Sequence, residues 1–451
     1  MSINSAFLDY FRQEFFLDNE IEFEAFTKSL LRPLKKTMRI NTNKQPLDTF
    51  MSNKTAVGWK FGKTPNGHVF HVDREDTSIA LGSNPEHLRG DFYIQELSAS
   101  MSVWLMSEGQ VHTEPFHILE MASSPGGKTT QIAEHYPNAF IFANEFNKER
   151  IVPLLENIER MGLTNIAVTN MNGVQFRDLP NRFDLVLLDA PCSGEGIGYK
   201  AAESLKYWNI KNVKTIARLQ KKLLHAGLVA LKPGGTLVYS TCTLNHIENE
   251  EVLASAKEEF GDQIEITFSK RFWPHTEIAG GFFVAKIEKK FTETVSEEVS
   301  KGYRPNTDIS LLEDRSLGMV EDALERLGTN LPHNTQLYRY KNDILLTRFT
   351  SDINSLLKEL YIIRFGMRIG RIEGNNFEPL PPLGVHFEHT KLLKYEIAKE
   401  ELKEFLRGLS VPVTLEHAGL IQVYWNGAPL GFGNIQKGVL QSGLPKYMFW
   451  K

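Results

Sequence analysis

Only two cysteines occur among the 451 residues, Cys192 and Cys242, fifty positions apart. Each follows an apolar, β-branched run, in the segments FDLVLLDAPCSGEG and GGTLVYSTCTLN. A thiolate is the common side chain that adds reversibly to an electron-poor pyrimidine ring. The alternative use of cysteine is as a small buried hydrophobe. The flanking residues argue for chemistry instead. Gly follows one cysteine closely and Thr and Asn the other, so each should sit where a strand opens into a loop. Loops at the carboxyl ends of strands in an open α/β sheet are where ligands bind.

A second candidate is ASSPGGKTT, residues 122–130, which follows an expected strand and opens an expected helix. Glycines let a ligand approach the backbone there, and the helix terminus offers free N–H donors. A phosphate loop of the GxxxxGKT type needs glycine where Ala122 stands, and a dinucleotide GxGxxG pattern is absent. The remaining reading is a nucleoside-type cofactor lying across the strand end. Glu145, closing the next strand, would then accept hydrogen bonds from a ribose diol.

The elements that must position these residues alternate. FHILEM (116–121), AFIFANE, NIAVTN, FDLVLLDA and TLVYST read as five strands. Helices are expected over Thr129–Tyr136, Lys148–Met161 and Val213–Leu231, the last stopped by Pro233-Gly234-Gly235. IEITF and GFFVAKIEK read as a closing pair of strands. The pattern predicts an α/β fold, a mainly parallel Rossmann-like sheet with helices on both faces, over residues 96–290.

Before it, residues 1–95 read as a small α+β unit. A helical face of Phe7, Leu8, Phe11, Phe15 and Phe16 is interrupted at Pro33, and TMRINT forms a strand. After it, a polar stretch around 288–308 reads as a linker. A small middle unit over 305–375 includes LYRYKNDILLTRF and a helix near Leu356–Leu360. Residues 380–451 read as a β-rich module with an Asn426-Gly427 hairpin turn. No internal repeat is visible.

Composition excludes several classes. The amino terminus carries Asp9, Arg12 and Glu14 within its apolar residues and so lacks a signal core. No apolar stretch approaches the roughly 18–20 residues that cross a bilayer. Two cysteines without CxxC or Cys/His spacing, and no ligand-like cluster among the thirteen histidines, leave no metal site or disulfide scaffold. A cytoplasmic monomer is expected. The net charge of −4 gives no global signature of a nucleic-acid binder. Phosphate contacts would need local basic faces, for which Arg32, Lys35, Lys36 and Arg39, and Arg364, Arg368 and Arg371, are candidates.

LEMASSPGGKTTQIA, FANEFNKER, FDLVLLDAPCSGEG and LKPGGTLVYSTCTLNHIENEEVL together resemble the RNA cytosine-5 methyltransferases of the Nol1/Nop2/Sun family. RFGMRIGRIEGNNFEP and PLGFGNIQKGVLQSGLPKYMF are similar to the bacterial ribosomal RNA branch, the latter to its PUA-like tail. The resemblance implies an S-adenosyl-L-methionine-dependent methyltransferase core with RNA-binding modules and ribosomal RNA, within the small subunit, as partner. Transfer RNA is the alternative substrate, and an inert assembly factor the alternative class.

By resemblance, Cys242 is the nucleophile and Cys192 assists product release. The cofactor would lie on Ala122, Ser123, Ser124, Pro125, Gly126, Gly127 and Lys128, with Glu145 on the ribose and Arg150 and Asn172 beside it. Asp189 borders cofactor and target base, and Lys128 reaches toward that base. The sequence departs from the family at Glu120 and Asn172, where Asp is usual, and at Tyr199 beside Lys200, where Arg is usual. An unperturbed thiol near pKa ~8.5 is mostly protonated at neutral pH, so one cysteine is expected to be depressed, with Lys128 the nearest cation.

Overall fold

Strand runs with several consecutive apolar residues, such as Leu185–Leu188 within FDLVLLD, cannot show one face to water and must lie between two layers. In the computed structural model they do, forming the middle of an eight-stranded sheet. The structure describes residues 3–108, 116–197, 202–277, 279–291, 309–349 and 359–450. Across the sheet the strands are Ile264–Phe272, Phe282–Lys289, Leu231–Thr241, Phe183–Asp189, His117–Glu120, Phe140–Asn144, Ile166–Thr169 and Ile362–Phe365. The inner five are parallel. The closing pair and the far edge strand run antiparallel.

His117–Glu120 leads outward through Phe140–Asn144 to Ile166–Thr169, and the chain then returns to place Phe183–Asp189 on the first strand's other side. The carboxyl ends of His117–Glu120 and Phe183–Asp189 therefore flank the point where strand order reverses, the crevice that binds ligands in such sheets. Helices Gly127–His135, Lys148–Met161 and Ile210–Ala230 link the strands.

Pro233-Gly234-Gly235 does not stop the long helix. That helix ends at Ala230, and the strand begins at Leu231. The Pro-Gly-Gly segment instead lies within a register shift between the Leu231 and Thr236 pairings, with Gly234 at φ +79°. Glycine is suited to such a bulge because it adopts positive φ without a Cβ clash.

The first 95 residues divide between two places. Helices Ser5–Phe15 and Glu20–Ser29, with Phe16 just after the first, pack Phe7, Phe11, Phe16, Phe23 and Phe26 into the same core as Trp208 and Leu244. A four-stranded antiparallel sheet that includes Thr37–Ile40 and Val69–Arg74 keeps its own core around Met38, Phe50 and Trp59. The middle segment divides as well. Ile362–Phe365 pairs with Ile166–Thr169, while Met367–Glu373 joins a separate five-stranded sheet. The linker over 292–308 and the expected helix at 356–358 lie outside the described residues, as do Tyr199 and Lys200.

The last module is a five-stranded sheet with the helix Lys399–Leu406. Its hairpin turn has Asn426 and Gly427 at φ +51° and +71°, as an Asn-Gly turn of the I′ type requires. It docks on the amino-terminal unit: Arg89 donates to Trp425 O at 3.0 Å and Trp450 Nε1 to Ser83 O at 2.8 Å.

Four of the seven residues of the two anticipated basic faces are taken up in ion pairs, while Arg32, Lys35 and Lys36 are exposed. Arg39 is 1 % exposed and pairs with Glu134, Gln95 and Thr130. Arg364 and Arg368 pair with Glu159, and Arg371 with Asp343 and Glu373. Clustered arginines in a sequence do not reveal which distant carboxylates the fold brings to them.

Candidate active site

The strand His117–Glu120 runs through residues 121–126 into the helix Gly127–His135. Gly126 sits at φ +105° with Leu154 Cδ1 3.1 Å from where a Cβ would stand, so both backbone and space call for glycine. The Ser124–Pro125 peptide is cis. Glu145 is buried and accepts from Asn147 N at 2.8 Å and Ser124 N at 3.4 Å. Arg150 Nη2 donates to Ser124 O at 2.7 Å and Ser124 Oγ to Arg150 O at 2.7 Å. Residues 122–128, Glu145 and Arg150 thus come together, and the side chains also brace the loop.

A carboxylate offers about four lone-pair sites, so Glu145 keeps capacity for hydroxyl donors beyond its two backbone contacts. Asn172 is exposed at the end of the next strand, and its Oδ1 accepts from Val174 N at 3.1 Å. Its amide nitrogen has no protein partner among the described residues. The cradle at Gly126 and these unsaturated groups fit a nucleoside-bearing cofactor. Buried Asn144, which the motif reading passed over, ties three strand ends by donating to Met121 O at 3.1 Å and Met171 O at 3.0 Å. A polar residue closing an apolar strand immediately before Glu145 was its signal.

Glu120 points inward. It accepts from Thr129 Oγ1 at 2.5 Å, and burial raises its carboxyl to about 7.

At the reversal point, Lys128 Nζ donates to Asp189 Oδ2 at 2.7 Å, and Ser240 Oγ to Asp189 Oδ1 at 2.8 Å. Burial opposes the charge on Lys128, but Asp189, Glu120 and Cys242 together outweigh it and hold its pKa above the usual lysine value. Cys192 Sγ lies 2.9 Å from Cys242 Sγ, and Cys242 N donates to Cys192 Sγ at 3.3 Å. All four residues expected to do chemistry meet here. The Cys192 thiol is not depressed: its hydrogen bond to Cys242, then burial, push it well above the ordinary value. A hydrogen held on Cys192 can be given to Cys242 Sγ.

Two buried carboxylates that the sequence reading missed hold the cysteine loops together. Glu195 accepts from Trp208 Nε1 at 2.6 Å, Leu244 N at 3.0 Å, Asn245 N at 3.1 Å, Asn245 Nδ2 at 2.9 Å, and the Thr243 hydroxyl. Glu248 accepts from Ser193 N at 3.0 Å, Gln220 Nε2 at 2.9 Å and Asn245 Nδ2 at 2.8 Å, and contacts the Ser193 hydroxyl. Ser193 Oγ and Thr243 Oγ1, each following a cysteine, are 2.9 Å apart.

The chain Glu248–Ser193–Thr243–Glu195 has three oxygen–oxygen contacts, and each needs a hydrogen. The two hydroxyls supply two, so one carboxyl carries the third. Burial, then the charge of Glu195, raises the Glu248 carboxyl, the direction that favours a proton there. The only sequence signal was the pair of acids inside SGEG and IENEE.

Among the described residues no group of three or more His, Cys, Asp or Glu side chains could hold a metal. No described helix is long and apolar enough to cross a membrane.

A reversed-order α/β sheet with a glycine loop after its first strand defines the class: an S-adenosylmethionine-dependent methyltransferase fold. Solved structures agree. A methyltransferase homologue from Pyrococcus horikoshii matches with TM-score 0.56 and 28 % identity, covering 63 % of this chain and 95 % of that one. NSun6 from Pyrococcus horikoshii, solved with SFG, shares the fold at TM-score 0.55 and 21 % identity, covering 64 % of this chain and 99 % of that one.

Residues 110–288 match the family described as 16S rRNA methyltransferase RsmB/F, and residues 392–450 the methyltransferase RsmF PUA domain. Proteins named ribosomal RNA small subunit methyltransferase F are similar over nearly the whole length. That of Salmonella agona (strain SL483) is 33 % identical, over 98 % of this chain and 95 % of the relative. That of Vibrio cholerae serotype O1 (strain M66-2) is 32 % identical, over 95 % and 94 %. The chain belongs to the RsmB/F methyltransferase family.

Proposed function

We propose that this protein methylates carbon-5 of a cytosine in 16S ribosomal RNA through a covalent bond between Cys242 and carbon-6 of the base. The observation that carries this reading is the 2.9 Å approach of Cys192 and Cys242 beside the Lys128–Asp189 pair at the sheet's reversal point. S-adenosyl-L-methionine, held by residues 122–128, Glu145, Arg150 and Asn172, supplies an electrophilic methyl group.

Carbon-5 of cytosine is a weak nucleophile. The Cys242 thiolate adds to carbon-6, and the electron pair of the 5,6 double bond becomes available at carbon-5. Negative charge develops toward ring nitrogen 3, where a proton taken up from solvent is held by a hydrogen bond to the Asp189 carboxylate. The hydrogen on Cys192 stabilises the Cys242 thiolate before attack. Once that thiolate is consumed in the bond to carbon-6, Cys192 releases its proton to solvent; after methylation its thiolate takes the carbon-5 proton, and the re-forming 5,6 double bond expels Cys242 as thiolate. The base must leave its stack to reach this site, at a cost of a few kcal/mol. The carboxyl-terminal module over 392–450 is the RNA-holding unit in this reading.

Tritiated methyl transfer to unmodified small subunits, naked 16S rRNA and bulk tRNA tests this. Label should appear on rRNA or subunits as 5-methylcytosine and vanish in Cys242→Ala. Cys192→Ala should leave a protein–RNA adduct stable on a denaturing gel. Normal turnover by Cys242→Ala would sink the mechanism. Label confined to tRNA would overturn the substrate.

A further inference from the structure

From residue 204 to residue 247 the chain contains no Asp or Glu, yet it carries Lys206, Lys211, Lys214, Arg218, Lys221, Lys222 and Lys232. In a protein of net charge −4 this is a local reversal of sign. The structure turns most of the stretch into the helix Ile210–Ala230. Val213, Ala217, Gln220 and Leu224 face inward from it. At about 100° per residue, Lys211, Lys214, Arg218, Lys221 and Lys222 all fall on one outer flank. Lys211, Lys214, Arg218 and Lys222 are exposed. Of the seven cations only Lys232 forms an ion pair among the described residues, with Asp184. At about 1.5 Å rise per residue the stripe from Lys211 to Lys222 runs about 16 Å.

Both ends of this flank are tied to the chemistry. Gln220, on the helix's inner face, donates to Pro191 O and Glu248 at 2.9 Å each, so the helix abuts the Cys192 loop directly. Just before its first turn, Trp208 is bonded to Glu195. Its neighbour Tyr207 is 63 % exposed, with Lys206 Nζ 5.0 Å from the ring centroid. An exposed aromatic with cations beyond it suits a nucleic-acid strand, since bases stack on the ring while phosphates follow the charges.

We propose that the outer flank of Ile210–Ala230 is a phosphate rail for the RNA flanking the target base, with Tyr207 as its stacking platform. The proposal rests on RNA being the substrate, as argued above. It commits to RNA as occupant because every charged side chain that the helix itself contributes is a cation. It adds a contact surface distinct from the carboxyl-terminal module and from both arginine clusters, most of which are consumed in ion pairs.

The test compares wild-type full-length protein with a Lys211→Gln, Lys214→Gln, Arg218→Gln, Lys222→Gln variant and with Tyr207→Ala. Binding of naked 16S rRNA is titrated across a salt series, and thermal melting checks that each variant folds. Each neutralised phosphate on a single strand contributes about 0.7 to the slope of log K against log salt. The quadruple variant should lose about 2–3 from that slope and at least tenfold in affinity near 0.15 M salt. Tyr207→Ala should lose about tenfold in affinity with the slope unchanged.

An unchanged slope in a folded quadruple variant overturns the rail. Retained affinity for naked rRNA with loss only on assembled subunits also overturns it, and would assign the flank to a ribosomal protein. Neither result depends on which atom is methylated, so failure of the rail and failure of the cytosine reading are separable.

Discussion

Replacing Glu195 by Gln is the sharpest probe of how the cysteine loops are held. Five donors converge on this fully buried carboxylate. An amide accepts at one end only. With its NH2 at the Oε1 position, Trp208 Nε1 loses its acceptor, while Asn245 Nδ2 keeps Thr243 Oγ1 and Glu248 for its two hydrogens; with the NH2 at Oε2, three donors lose theirs. Each buried donor left unmade costs about 1–3 kcal/mol, so the smaller loss is about 2 kcal/mol. For a catalytic unit unfolding cooperatively, this lowers Tm by about 5 °C. Glu248→Gln should cost less. Its amide oxygen can take Ser193 N and Gln220 Nε2, and its NH2 can supply the hydrogen that the proton on Glu248 supplies to Ser193. Asn245 Nδ2 then faces a donor but keeps Glu195 and Thr243 Oγ1 for its two hydrogens, so no buried donor is left unmade and the loss stays below about 1 kcal/mol. Calorimetric melting of both variants, with methyl transfer as the second readout, checks this order. Equal losses, or a larger one at Glu248, would falsify the proton count in the Glu248–Ser193–Thr243–Glu195 chain.

Lys128→Met removes the cation from Asp189 and should lower methyl transfer about 100-fold in a protein that still melts cooperatively; activity within twofold of wild type refutes a role for the pair. Glu120 gives a pH signature. Its folded carboxyl is raised to about 7 from 4.5, so its contribution is full below 4.5 and is lost as pH rises toward 7, on the order of 3 kcal/mol. Glu120→Gln should flatten that part of the stability–pH curve in denaturant titrations, and an unaltered curve contradicts the assignment. Arg39→Met strands Glu134 in the core and should cost about 3–5 kcal/mol, measured as a fall in the denaturation midpoint; a neutral effect would mean that Glu134 takes up a proton without penalty.

The strands and helices of the parallel core are legible in residue order, because each is an apolar run or a clear 3.6-residue pattern closed by turn residues. Local order also decided that residues 122–128, Glu145, Asp189, Cys192 and Cys242 lie at strand ends, since each directly follows such a run. What it could not decide was pairing between distant segments. The amino-terminal helices look like part of the unit that follows them, yet their phenylalanines complete a core with Trp208 and Leu244. Ile362–Phe365 reads as part of a middle unit, yet the open edge at Ile166–Thr169 takes it into the main sheet.

The same limit hid Glu195 and Glu248. A buried carboxylate is tolerable only when several donors from different segments converge on it, and convergence is a property of the fold. It also inverted the reading of the basic residues. Arg39, Arg364, Arg368 and Arg371 were drawn into ion pairs with distant acids, while the cations of the Ile210–Ala230 helix form no ion pair among the described residues. Sequence order fixes which residues are near along the chain. Which charges are neutralised, and which remain to meet a partner, was settled only when the sheet folded.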